Sequence, residues 1–68
     1  MIEIFCIRLK ELRQEKGISQ LTLAHNIGAT QKAVDFWEKG INEPKISYVV
    51  KIAQYFDVTL EYLVGLED

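Results

Sequence analysis

Apolar residues return along this chain at the three- and four-residue intervals of helices, with short polar breaks between the runs. Phe5, Leu9 and Leu12 share one face of a segment from Glu3 to Lys16, and Gly17 supplies its stop. Ser19 is placed to cap a second helix, Gln20 to Ile27, closed by Gly28. Thr30 is placed to cap a third, Gln31 to Lys39, closed by Gly40. Pro44 disfavours helix at Glu43, so the stretch Ile41–Ile46 reads as a loop. Ser47 is the expected cap of a fourth helix reaching about Phe56, and Thr59 that of a short fifth from Leu60 to about Leu66. A Ser or Thr oxygen at a helix start accepts from an otherwise unpaired backbone amide, so this placement has a mechanism. No two alternating segments are joined by a turn signal, and Ile2-Glu3-Ile4 reads as a frayed or extended start. The prediction is all-α: a compact five-helix bundle forming one domain over residues 1–68.

Composition narrows the classes. Apolar residues make up 49% of the chain, enough for a core without a crosslink. Cys6 is the single cysteine, and no Cys/His cluster has zinc spacing, so no metal or cofactor is expected. Its setting near the Leu9 face suggests a small apolar residue rather than a nucleophile. No apolar run approaches the roughly 20 residues of a membrane span. The basic residues follow the stretch Ile4–Ile7 rather than precede it, unlike a signal peptide, which together with the lone thiol suggests a cytoplasmic protein. No Ser/His/Asp set, paired carboxylates or glycine-rich phosphate loop is present, which argues against an enzyme. The net charge is −2, but the four acids after Ile52 face no base, leaving +2 on residues 1–51. A moderately basic body with an acidic end leaves nucleic acid open as a partner.

Residues 20–39 carry the functional signal, since two short helices joined by Gly28-Ala29-Thr30 fit a helix-turn-helix. Ala24 is small where the helices cross, and Gly28 sits where the turn calls for positive φ. Leu23, Ile27, Val34 and Trp37 face inward by the helical period, leaving Gln31, Lys32, Asp35, Phe36 and Lys39 outward. A glutamine amide matches adenine N6/N7, which suits Gln31; Phe36 could meet a thymine methyl, or pack on the loop Ile41–Pro44. Asp35 could accept from a cytosine amine, or serve as the intrahelical partner of Lys32 or Lys39. Lys32 and Lys39 suit phosphates, as does Gln20 at the N-terminus of its helix, and Thr30 joins the DNA-facing set.

The string Ser19-Gln20-Leu21-Thr22-Leu23-Ala24, then Gly28, Val34, Trp37-Glu38-Lys39-Gly40 and Pro44, resembles the phage repressor/Cro-type helix-turn-helix family. The likeness extends to Leu9-Lys10-Glu11-Leu12-Arg13, Lys51-Ile52-Ala53 and Val58-Thr59-Leu60-Glu61-Tyr62-Leu63, so it spans nearly the whole chain in order. It implies a lambda-repressor-like five-helix domain that binds palindromic double-stranded operators as a dimer. By the same likeness Gln20 falls on a phosphate-clamping glutamine, Gln31 on the first base-reading position, and Arg13 and Glu38 on a buried salt-bridge pair. Two departures stand out. Many relatives carry Lys or Arg after the recognition helix where this chain has Ile41-Asn42-Glu43, and Asp35 replaces a Ser or a base. Both weaken phosphate attraction, so a shallow salt slope and modest affinity are expected.

The sequence-based expectation is a sequence-specific transcriptional regulator, a repressor, with helix 31–39 in the major groove of paired half-sites. The alternative is the same fold used as a protein-interaction or dimerisation module with weak or no DNA binding. Two patches are candidates for self-association: Leu60 and Val64, favoured by the resemblance, and Ile4 and Ile7, favoured by pattern. Trp37 is expected in the core, Tyr48, Tyr55 and Tyr62 at its rim, and His25 on an exposed, inert part of helix 2. A third reading is that this is only the reading head of a longer regulator; nothing here resembles a ligand sensor, so any inducer site would lie elsewhere.

Overall fold

The computed structural model describes all 68 residues. Five helices follow one another: α1 (Ile2–Lys16), α2 (Gln20–Ile27), α3 (Gln31–Glu38), α4 (Ile46–Phe56) and α5 (Leu60–Val64), with no strand. None is long and apolar enough to cross a membrane.

Three starts have the expected chemistry. Ser19, Thr30 and Thr59 each have an extended backbone and accept the amide of Thr22, Ala33 and Tyr62 respectively. α4 differs. Ser47 lies inside the helix, the cap is Lys45, and no side chain completes it. The start is set by position rather than by a hydroxyl: Pro44 is buried, and the Lys45 carbonyl accepts from Tyr48 and Val49 at 3.0 and 3.2 Å. That register turns Val49, Ile52 and Ala53 into the core.

Other limits move by smaller amounts. α1 begins at Ile2 because Ile2 packs on the core a turn before Phe5, so the Ile2-Glu3-Ile4 alternation is helical. α3 closes at Glu38, with Lys39 as its C-cap and the chain turning at Gly40. α5 stops at Val64 rather than Leu66, because Gly65 takes the left-handed conformation that ends a helix, at φ 88°.

The core gathers Phe5 and Leu9 of α1, Leu23, Ala24 and Ile27 of α2, Val34 and Trp37 of α3, α4's trio, and Leu63 of α5. Ala24 is buried where α2 meets α3, and its lack of side-chain bulk lets the helices cross closely. α1 lies against both α3 and α5, so it braces the helix-turn-helix from behind. Trp37 packs on Tyr48 with ring centroids 5.3 Å apart, and Tyr48, Tyr55 and Tyr62 are all half-buried at the rim. Cys6 is half-buried, its thiol donating to the Glu3 carbonyl at 3.2 Å.

Candidate nucleic-acid interface

α2 and α3 are joined by three residues. The turn rests on Gly28, at φ 74°, whose amide donates to the Ala24 carbonyl. The following Ala29 amide reaches the same carbonyl at 2.8 Å. Tyr48 sends its hydroxyl to the Gly28 carbonyl at 3.4 Å, tying the turn to α4.

The period of α3 separates two sets of side chains. Val34 and Trp37 are buried, whereas Gln31, Lys32 and Lys39 are exposed and Asp35 and Phe36 are half-buried. Gln20, Gln31, Lys32 and Asp35 together line a shallow open concavity at the front of the α2–α3 pair. Thr30, at the mouth of α3, is occupied in capping Ala33. Lys32 lies over the Phe36 ring, 5.5 Å from its centroid.

Behind this face runs a polar network. Arg13 of α1 grips Glu38 with two bonds, Nε to Oε2 at 2.7 Å and Nη2 to Oε1 at 3.1 Å. Its third nitrogen donates to the Ile18 carbonyl at 2.9 Å. The pair is well covered, with the Arg13 side chain 14% exposed and Glu38 4%. The bond to Glu38 is the leading cause that raises the Arg13 pKa, against the opposing effect of burial. Gln20 joins the network by donating its amide nitrogen to Asp35 Oδ1 at 3.2 Å and to Glu38 Oε1 at 3.1 Å. Asp35 meets Lys39, one turn on, at 2.8 Å, and makes no ion pair with Lys32. Lys39 and then Gln20 hold the Asp35 carboxyl below the usual range.

Gln20's double bond to α3 was not legible from spacing, because its partners lie 15 and 18 residues away. Arg8 was missed as well. It lies over the Tyr62 ring at 4.1 Å and donates to the carbonyls of Tyr62 and, at 2.7 Å, Glu67, so it fastens the end of α5 to α1. Of the self-association candidates, Leu60 and Val64 are half-buried against the core. Ile4 and Ile7 stand in solvent, at 40% and 55% exposure.

A family profile described as helix-turn-helix matches residues 9–63. The chain belongs to the phage repressor/Cro-type helix-turn-helix family. Members similar to it include the cryptic phage CTXphi transcriptional repressor RstR of Vibrio cholerae, 31% identical over 62 residues, which cover 91% of this chain and 56% of RstR. Another is the uncharacterized HTH-type transcriptional regulator YobD of Bacillus subtilis, 29% identical over 65 residues, covering 96% of this chain and 58% of YobD. The chain thus spans little more than half the length of these two family members. A solved member, the restriction-modification controller protein C.AhdI from Aeromonas hydrophila, superposes with a TM-score of 0.83 at 34% identity. That match covers 91% of this chain and 94% of C.AhdI, so the five-helix arrangement is a family fold rather than a local likeness.

Proposed function

We propose that this chain is a sequence-specific DNA-binding transcriptional regulator that seats α3 in the major groove. The observation that carries the reading is the division of α3. Val34, Trp37 and Glu38 lock one side to the body, while Gln31, Lys32, Phe36 and Lys39 occupy the other outside the core, and Asp35 lies on that face with a bond to Gln20 of α2. Gln31 and Phe36 offer an amide and an apolar ring to base edges, and Lys32, Lys39 and Thr30 reach the flanking phosphates. Family membership and the RstR likeness support repression as the outcome. The regulator acts as a homodimer on an inverted repeat, with self-association through the α1–α5 end of the molecule.

Selection of bound duplexes from a random pool, at low and at physiological salt, tests this. The expected product is an inverted repeat with half-site centres about 10 base pairs apart, and sedimentation should give twice the chain mass. Failure to enrich any motif at either salt refutes the reading.

One observation favours the second reading, a helix-turn-helix kept as a protein-interaction module. The reading face is partly occupied from within, the Lys39 charge by Asp35 and the Gln20 N–H donors by two carboxylates. Retardation of mixed-sequence DNA at low salt separates the two, because a DNA binder retains nonspecific affinity there.

A further inference from the structure

The side chains at the crossing of α2 and α3 fix the hydrogen-bonding polarity of the reading face. A carboxamide has two N–H hydrogens and one carbonyl oxygen. Gln20 aims its nitrogen at Asp35 Oδ1 and Glu38 Oε1, at 3.2 and 3.1 Å, so both hydrogens are engaged. The flipped amide would set an oxygen against two carboxylates, so chemistry enforces this orientation. In the free protein, then, neither hydrogen is open to a phosphate. Asp35 is held at both oxygens, Oδ1 by Gln20 and Oδ2 by Lys39 at 2.8 Å. The two holds differ in kind. Gln20 is half-buried and braced through Glu38 on Arg13, whereas Lys39 is a flexible ammonium, 60% exposed, for which a DNA phosphate competes.

From this geometry we infer that Asp35 selects a cytosine in each half-site, with Gln20 as its positioning residue. The inference rests on the reading of α3 as a major-groove helix. On docking, Lys39 passes from Asp35 Oδ2 to a phosphate, and the freed oxygen accepts the groove-facing hydrogen of cytosine N4. Gln20 keeps Oδ1, and with it the plane of the carboxylate. Base-edge chemistry singles out cytosine. Its major-groove edge presents only the N4 donor, while adenine sets the N7 acceptor beside its N6 donor, guanine presents two acceptors, and thymine an acceptor and a methyl. A carboxylate is repelled by each of those acceptors. An asparagine in the same place has a donor and an acceptor, which matches adenine.

The test is a parallel selection from a random duplex pool with the wild type, Asp35→Asn and Gln20→Met. In the wild-type motif one position of each half-site should be cytosine, and Asp35→Asn should shift that position alone towards adenine. Replacing that cytosine by N4-methylcytosine, whose methyl takes the groove-facing place, should weaken wild-type binding by about 10-fold or more and leave Asp35→Asn far less affected. Gln20→Met should blunt the cytosine preference and spare the rest of the motif. Identical motifs from wild type and Asp35→Asn overturn the role of Asp35 while leaving DNA reading intact. A uniform loss across all positions in Gln20→Met overturns its positioning role. Absence of any motif from all three proteins removes the DNA reading itself, and this inference with it.

Discussion

Removing Arg13 should unfold much of the margin by which this domain is stable. Arg13→Met keeps the aliphatic reach and deletes the guanidinium, leaving Glu38 with the Gln20 amide at 3.1 Å as its remaining side-chain partner. It also strips the Ile18 carbonyl of its donor. Both members of the pair are well under a third exposed, so solvent screening gives little relief. Breaking such a pair costs about 3–5 kcal/mol; the bond kept by Gln20 and the partly wet rim favour the low end, ~3 kcal/mol. A domain of this length has on the order of 3–10 kcal/mol in total, and each kcal/mol moves the melting midpoint by roughly 4–8 °C. Urea unfolding followed by the fluorescence of Trp37, the one tryptophan and a buried one, measures the loss directly. Arg13→Met/Glu38→Met should recover most of it, because an apolar pair of similar volume carries no stranded charge. The sign of the pKa change adds a control. A raised arginine pKa gives stability that is present below the unfolded value and lost only as pH rises through the folded one. Both lie far above the physiological range, so the Arg13 contribution should be flat between pH 5 and 9, to within ~0.5 kcal/mol. A single-variant loss under about 1 kcal/mol, the size of a surface ion pair, or a double variant no better than Arg13→Met, refutes the reasoning.

Three further outcomes are expected. Gly28→Ala meets nothing closer than the Lys51 ammonium at 3.9 Å, so it should cost only the left-handed strain, about 1–2 kcal/mol. Gly65→Ala carries the same strain and also sets its Cβ 3.0 Å from Ile4, so its urea midpoint should fall further than that of Gly28→Ala. Because Lys39 and Gln20 hold the Asp35 pKa down, the Asp35 contribution is complete above about pH 4 and fades as pH falls through the lowered value, so Asp35→Asn should flatten the acid limb of a stability–pH curve. Lys39→Ala should weaken selected and random DNA alike and reduce the salt slope by about 0.9, since a phosphate contact carries no sequence information.

The helices and three of their starts were legible because their causes are local. Ser19, Thr30 and Thr59 act within three residues of themselves, and the core follows from a period that any segment displays alone. Ser47 misled because a good capping residue is not a cap unless the inward-facing positions agree, and here Val49 and Ile52 set the register. The end of α5 was available at Gly65 by the same rule that placed the end of α2 at Gly28. Of the bonds across the fold, Arg13–Glu38 came through the family resemblance alone, and the others were illegible. Arg8 closing over the end of α5, and Gln20 turning its amide inward, depend on where α1 and α2 lie relative to residues 15 to 59 positions away. The outward set on α3 could be read by counting, and spacing offered Asp35 both Lys32 and Lys39 as partners; the choice of Lys39 could not be read.

α3 is only eight residues, about 12 Å long, far too short to hold helical order in water by itself. Its order is borrowed from the body through Val34, Trp37 and Glu38. A graft of the outward residues onto another scaffold would therefore need the inward three and an arginine placed like Arg13. The same partition shapes how this protein can diverge. Gln31, Lys32, Phe36 and Lys39 are open to change with little consequence for folding, so new operator preferences are accessible one substitution at a time. Asp35 is the exception: it belongs to the reading face and, through Gln20, to the frame behind it, so drift at this position carries a structural consequence that its neighbours escape.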